Sequence, residues 1–234
     1  MSEILNIKDL GGGYIEGVDI LRNVSLGVQQ GEAIGILGLN GSGKSTLGKA
    51  IMSMIPIRRG KISFEGNDIS ELTTSQLSNC GMSIMQQGGR VFKTISVWDN
   101  LQLALSKQPK DTLDRLQHII PMLQQSKKQL RRTMADKLSG GQSHQLSLAM
   151  TIATNPRLVI LDEPSAGLSP VAVQEMYTLL HTVRDALGIT IILIEQNIAR
   201  AIDFCDRIFL MEQGQLKTQL DLEDNQQIDS IFFR

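Results

Sequence analysis

The chain has 234 residues, enough for one large domain, or a domain with an inserted subdomain, around a substantial buried core. Its 23 Lys+Arg against 24 Asp+Glu leave a formal net charge of −1, so no global field draws it to nucleic acid or to an acidic membrane. Cys80 and Cys205 lie far apart and match no metal spacing, and His118, His144 and His181 are scattered, which argues for a reduced intracellular setting without a histidine-based metal site.

The opening Met1-Ser2-Glu3-Ile4-Leu5-Asn6 lacks a basic flank followed by an apolar core, so no export signal is expected. Apolar runs such as 189–194 are strand length, far short of the ~20 residues that span a bilayer. A role at a membrane would therefore need docking on another subunit. In chain order, β-branched and aliphatic runs predict strands at residues 4–10, 24–28, 33–37, 61–64, 81–85, 158–161, 190–194 and 207–211. Their alternation with helical patterns predicts an α/β domain with a largely parallel sheet. Residues 158–161 and 189–194 are continuously apolar, as strands covered on both faces are. The early strands alternate more and carry turn glycines, which predicts an antiparallel piece at one side. Between about 96 and 155 the strand signal stops, and helices are expected at 97–105, 112–123, 127–132 and from 142 to 154. This stretch reads as a helical subdomain inserted in a single domain covering 1–234. No sustained heptad is present, so a long coiled-coil arm is excluded.

Gly38-Leu39-Asn40-Gly41-Ser42-Gly43-Lys44-Ser45 fits G-x-x-x-x-G-K-[ST], with a strand-like run before it and a helix-compatible segment from Thr46 after it. Glycines let successive backbone N–H groups turn inward onto an anion, and the following helix adds its positive end. Lys44 supplies a mobile point charge for outer phosphates, and the Ser45 hydroxyl can ligate Mg²⁺. The loop predicts nucleoside triphosphate binding. Leu138-Ser139-Gly140-Gly141-Gln142 opens a helix, with Ser139 as a cap and two glycines permitting close backbone approach. Alone it reads equally as a plain loop-to-helix start. The strand 158–161 runs into Asp162-Glu163-Pro164. Asp162 there can hold Mg²⁺ through its water and Glu163 can orient or deprotonate the attacking water. The alternative is an acidic cap for a helix beginning near Pro170.

These three motifs, in this order around a helical insert, resemble the nucleotide-binding subunit of an ABC transporter, over roughly residues 4–220. The resemblance implies a P-loop NTPase fold with a RecA-like core, an antiparallel β subdomain and an inserted helical subdomain, with ATP and Mg²⁺ bound. It also implies further sites, position by position. Gln87, in Gln86-Gln87-Gly88-Gly89-Arg90-Val91-Phe92, matches the Q-loop glutamine that touches Mg²⁺ and senses the membrane subunit. Tyr14 resembles the aromatic that stacks on adenine, after a loop with three glycines, Gly11-Gly12-Gly13. Ser165-Ala166-Gly167-Leu168-Ser169 matches the D-loop, with serine at 169 where many members have aspartate.

Glu195-Gln196-Asn197 departs from the family, most of which has histidine at the position of Gln196, contacting the γ-phosphate. Gln196 donates a hydrogen bond but carries no charge. With the Q-loop and D-loop sequences, this glutamine resembles the shorter ATPase of importers for branched-chain amino acids, related amino acids, urea and short amides. Met150 and His144 are unusual near the signature, and read as repacked surface or altered contacts. The resemblance implies that Glu163, Gln196 and Gln87 carry hydrolysis. Ser45, Gln87 and Asp162 would hold the metal, and residues 38–46 from Gly38 through Ser42 and Gly43 to Thr46 the nucleotide. Ser139, Gly140, Gly141 and Gln142 of a second ATPase would act in trans. Implied partners are two transmembrane permease subunits, a sister ATPase or a second copy, and indirectly an extracytoplasmic solute-binding protein, with the chain at the cytoplasmic face of the inner membrane. Trp98 either lines the permease groove or belongs to the core. The competing readings are an exporter ATPase for lipid or polysaccharide and a soluble ABC ATPase. The tail from Asp221 to Arg234 receives no function.

Overall fold

The structure is a computed structural model that describes residues 2–106 and 108–220. Residue contacts divide it into two compact units, Met1–Cys80 with Thr190–Arg234, and Gly81–Ile189. The tail beyond Leu220 lies outside the described residues.

In the first unit, β1 (Glu3–Gly13), β2 (Leu21–Gln29), β4 (Ile57–Phe64) and the two-residue β5 (Asn67–Asp68) form an antiparallel sheet in the order β2-β1-β4-β5. Gly11, Gly12 and Gly13 do not form a loop. They are buried strand residues paired with Arg59, Arg58 and Ile57 of β4. A Cβ at Gly13 would lie 2.4 Å from the Val18 carbonyl oxygen, so the run reflects close backbone approach rather than mobility. The same unit holds β3 (Ala33–Leu37), with β8 (Thr190–Glu195) and β9 (Arg207–Glu212) parallel on either side and β10 (Gln215–Leu220) antiparallel to β9. All residues of β3 and β8 are buried, including Thr190 and Glu195 at the two ends of β8, as strands with apolar centres covered on both faces are. Helices α1 (Lys44–Ile51), α2 (Thr74–Asn79) and α8 (Ile198–Phe204) complete this unit.

The second unit pairs β6 (Met82–Met85) in parallel with β7 (Leu158–Asp162). Between them run α3 (Val97–Leu105), α4 (Thr112–Ile119), a 3-10 turn at Pro121–Gln124, α5 (Lys127–Arg132) and α6 (Gly140–Ala153). The helix expected over 112–123 stops at Ile119. Pro121 has no N–H to continue it and pushes Ile120 to an extended backbone. The last helix, α7 (Pro170–Leu187), is capped by Ser169, whose hydroxyl accepts from the Ala172 N–H, so Asp162 and Glu163 are not its cap.

Candidate functional site

In the first unit the chain leaves β3 at Leu37, turns through 38–43 and enters α1 at Lys44. Gly41 (φ +80°) and Gly43 (φ +106°) adopt the left-handed region that lets the loop curl. Gly43 sits at the N-cap and offers no side chain to the first amides of α1, so the helix start is left to an external acceptor. Lys44 is buried, and its Nζ donates to the carbonyls of Gly38 at 2.7 Å and Leu39 at 2.9 Å. That keeps the cation folded over the loop, where phosphate oxygens can take over those bonds. The buried Ser42 Oγ has no hydrogen-bond partner, as expected for a donor awaiting an oxyanion.

The loop is braced from behind by the turn between β9 and β10. Gln213 (φ +46°) and Gly214 (φ +81°) make a tight hairpin turn, and the Gly214 N–H donates to the Ser42 carbonyl at 2.8 Å. A Cβ on Gly214 would lie 1.8 Å from the Ile20 carbonyl oxygen, so only glycine fits. In the sequence only the Gln-Gly pair after the strand-like run 207–211 marks this turn.

Parallel pairing sets Leu37 of β3 opposite Glu195 of β8, so the phosphate loop and Gln196 leave adjacent strand ends. Glu195 is buried, and its Oε2 accepts from the backbone N–H of Gln196 at 3.0 Å and of Asn197 at 3.3 Å. Asn197 in turn caps α8 through the Arg200 N–H. The Glu195 carboxylate thus holds the Gln196 backbone N–H while the Gln196 side chain stays exposed. Tyr14 follows β1 and is 44% exposed, available to a stacking partner.

The second unit brings three candidates together. Met85 and Leu161 pair across β6 and β7, so Gln87 and the Asp162–Glu163 pair emerge side by side. The Gln87 Nε2 donates to the Glu163 Oε2 at 2.6 Å, which distinguishes Gln87 from its neighbour Gln86. Asp162 and Glu163 are both buried, and Glu163 adopts φ +47°, a conformation costly for a side-chain-bearing residue. Asn100, fully buried, pins the chain after Gln87. Its Oδ1 accepts from the Phe92 N–H at 2.8 Å, and its Nδ2 donates to the carbonyls of Phe92 at 3.0 Å and Ser96 at 2.9 Å. No local sequence signal marks that role, because the asparagine lies mid-helix.

Ser139 and Gln142 form a reciprocal capping box at the start of α6: the Ser139 Oγ accepts from the Gln142 N–H, and the Gln142 Oε1 accepts from the Ser139 N–H. Ser139, Gly140 and Gln142 remain exposed on a cleft of about 600 Å³ that also takes in Leu168 and Ser169. A Cβ on Gly140 would press on Leu168 at 3.3 Å and one on Gly141 on Ala172 at 3.4 Å. His144 is not surface. It is buried against Gly89, where an added Cβ would lie 3.0 Å from its ring, and its Nδ1 lies 2.9 Å from the Gly140 carbonyl. Trp98 is also buried.

A parallel-sheet α/β fold with a phosphate loop, an acidic strand end and a capped Ser-Gly-Gly helix start defines the ATP-binding-cassette class of P-loop NTPases. The family model described as ABC transporter matches residues 21–166, and the chain belongs to this family of ATP-binding, ATP-hydrolysing transporter subunits. It is 30% identical over 207 residues to the high-affinity branched-chain amino acid transport ATP-binding protein BraG of Pseudomonas aeruginosa, covering 87% of each chain. It is 32% identical over 219 residues to the lipopolysaccharide export system ATP-binding protein LptB of Escherichia coli, covering 91% of this chain and 88% of the other. Among solved structures, cbiO1 from Clostridium perfringens, part of the ABC transporter complex cbiONQ, superposes with a TM-score of 0.83 at 26% identity over 100% of this chain and 96% of that one. Subunits of this family dimerise and work with transmembrane permease components. Among the described residues no helix is long and apolar enough to cross a membrane.

Proposed function

We propose that this chain is the ATPase subunit of an ABC importer for amino acids, with branched-chain amino acids as the leading cargo class and urea or short amides behind them. The observation that carries this reading is Gln196, its backbone N–H held by Glu195, in the place where most of the family has histidine. The same glutamine, with the Gln87 and D-loop sequences, resembles the shorter ATPase of such importers, and the likeness to BraG points the same way. The likeness to LptB supports a second reading, an exporter ATPase for lipid or polysaccharide. The cargo itself leaves no mark on an ATPase subunit that never touches it.

In this reading residues 1–234 form one ATPase domain with a helical subdomain at about 96–155. The amides of the phosphate loop, Lys44 and the Ser42 hydroxyl receive the phosphates, with Tyr14 against the adenine. By their chemistry the Ser45 hydroxyl, the Gln87 amide oxygen and the Asp162 carboxylate are hard oxygen donors of the kind Mg²⁺ takes, and in this reading they would hold it. When bound, the ion offsets charge on the phosphates. Glu163, fixed by Gln87, takes the proton of the attacking water, and the Gln196 amide steadies that water and the γ-phosphate. Ser139, Gly140 and Gly141 of a second ATPase subunit, a sister chain in this importer type, cap the γ-phosphate in trans. A permease helix docks in the cleft of about 620 Å³ lined by Gln87, Arg90, Lys93, Asp136 and His144.

The test is capture of this chain from native membranes in mild detergent, with co-purifying proteins identified by mass spectrometry. Two polytopic subunits, a sister ATPase and a solute-binding protein are expected. Recovery with an exporter-type membrane protein would favour the second reading and overturn the first.

A further inference from the structure

The near-neutral chain conceals a concentrated cationic surface. Helix α5 carries four cations in six residues, Lys127, Lys128, Arg131 and Arg132, all exposed, while Leu130 alone is buried and anchors it. The four fall into two i,i+4 stripes, Lys127 with Arg131 and Lys128 with Arg132, so like charges stand as helix neighbours twice over. Among the described residues none of the four is ion-paired. Like-charge repulsion within each stripe weakens a six-residue helix, so Lys128 and Arg132, which no acidic partner balances, call for an explanation beyond helix stability.

The cluster is also organised. The Lys127 Nζ lies 4.3 Å from the centroid of the Trp98 ring and the Arg131 guanidinium 5.4 Å, so the buried indole of α3 is roofed by two cations held through cation–π contact. Lys128 and Arg132 project from the next stripe. Met134, two residues past the helix, is 39% exposed. The clefts that hold Ser139 and Gln87 are lined by residues outside α5. An acidic peptide would need a groove to fix its backbone. Exposed long cations with one apolar side chain suit a plane that presents many anions at once.

We propose that α5 and Met134 form a binding surface for anionic phospholipid headgroups. The attraction is local, acting within about 8 Å at physiological salt, so a net charge of −1 does not oppose it. It holds this unit at a bilayer independently of any permease subunit, which extends the proposed transporter role rather than resting on it. Each cation near such a surface contributes about fivefold in partitioning, so losing two lowers binding about 25-fold.

The experiment is sedimentation of the purified full chain with phosphatidylglycerol-containing vesicles and with pure phosphatidylcholine vesicles, at low and at high salt. Trp98 is the chain's one tryptophan, so its emission reads the same patch. The expected result is binding to anionic vesicles alone, release by salt, and a change in Trp98 emission as headgroups draw Lys127 and Arg131 from the ring. Lys128→Gln with Arg132→Gln, which leaves the Trp98 contacts in place, lowers partitioning about 25-fold with melting temperature unaltered. Equal partitioning onto both vesicle types, or undiminished binding by the folded double variant, overturns the proposal. So does a double variant that still binds vesicles but no longer co-purifies with membrane subunits, since the surface would then serve a protein. Failure with vesicles leaves the native-membrane capture unaffected, so the two proposals fail separately.

Discussion

At the scale of single residues, the site rests on side chains that position one another. Glu163 is buried, conformationally costly and tied to Gln87 at 2.6 Å, an arrangement that spends stability to fix a carboxylate. Glu163→Gln removes the base and keeps the shape, so hydrolysis should fall by about 10² to 10⁴ while ATP binding persists. Single-turnover hydrolysis beside nucleotide titration checks this, and unaltered turnover would move the base elsewhere. Gly214 makes a different demand, because an added methyl meets backbone at 1.8 Å rather than a flexible side chain. Gly214→Ala should displace the turn that holds the Ser42 carbonyl, lowering both melting temperature and ATP affinity. Wild-type affinity in that variant would show that the phosphate loop needs no brace. Histidine at 144 was open as repacked surface from sequence alone. Burial against Gly89 reveals it as a contact between the start of α6 and the glycines after Gln87.

At the scale of elements, polar side chains at strand and helix ends do most of the placing. The capping box of α6 uses the same Ser139 and Gln142 that the proposed function presents to a second subunit. Ser139→Ala should therefore cost about 1 kcal/mol in cap energy, measurable in thermal unfolding, and a much larger share of hydrolysis. An equal, small effect on both would reduce Ser139 to a cap. Asn100 makes three hydrogen bonds from a fully buried amide in α3. Asn100→Leu strands the Phe92 N–H, at a cost of about 1–3 kcal/mol, leaves the Phe92 and Ser96 carbonyls only their backbone donors, and frees the segment carrying Gln87. Hydrogen exchange across residues 86–96 should rise, and unaltered protection there would refute the pinning role.

At the scale of the molecule, the phosphate loop and Gln196 belong to one compact unit and the acidic pair, Gln87 and the Ser-Gly-Gly turn to the other. If the γ-phosphate is capped by a second subunit, specific hydrolysis should rise steeply with protein concentration, or with added sister ATPase, and vanish at dilutions where the chain is monomeric. Full activity in a strictly monomeric preparation would rule out the trans arrangement.

Several features needed no structure. Continuous apolar runs set β3 at 33–37 and β7 to within one residue, since strands covered on both faces tolerate nothing else. Helices α3 and α5 begin and end at the expected residues, 97–105 and 127–132, where the Ser96 and Ser126 side chains cap them. The phosphate loop was readable because glycine spacing and a following lysine encode their chemistry locally. Other features are held by partners distant in sequence. Gly11–Gly13 pair with β4, a fact invisible where no side chain marks a face. Weakly apolar β10 forms because β9 offers it an edge. The bond from Gln87 to Glu163 spans residues that only the parallel pairing of β6 and β7 brings together. Local physics thus determined where phosphate chemistry resides in this protein, while long-range pairing decided which side chains surround it, because a hydrogen bond between distant residues exists only once the intervening chain has folded.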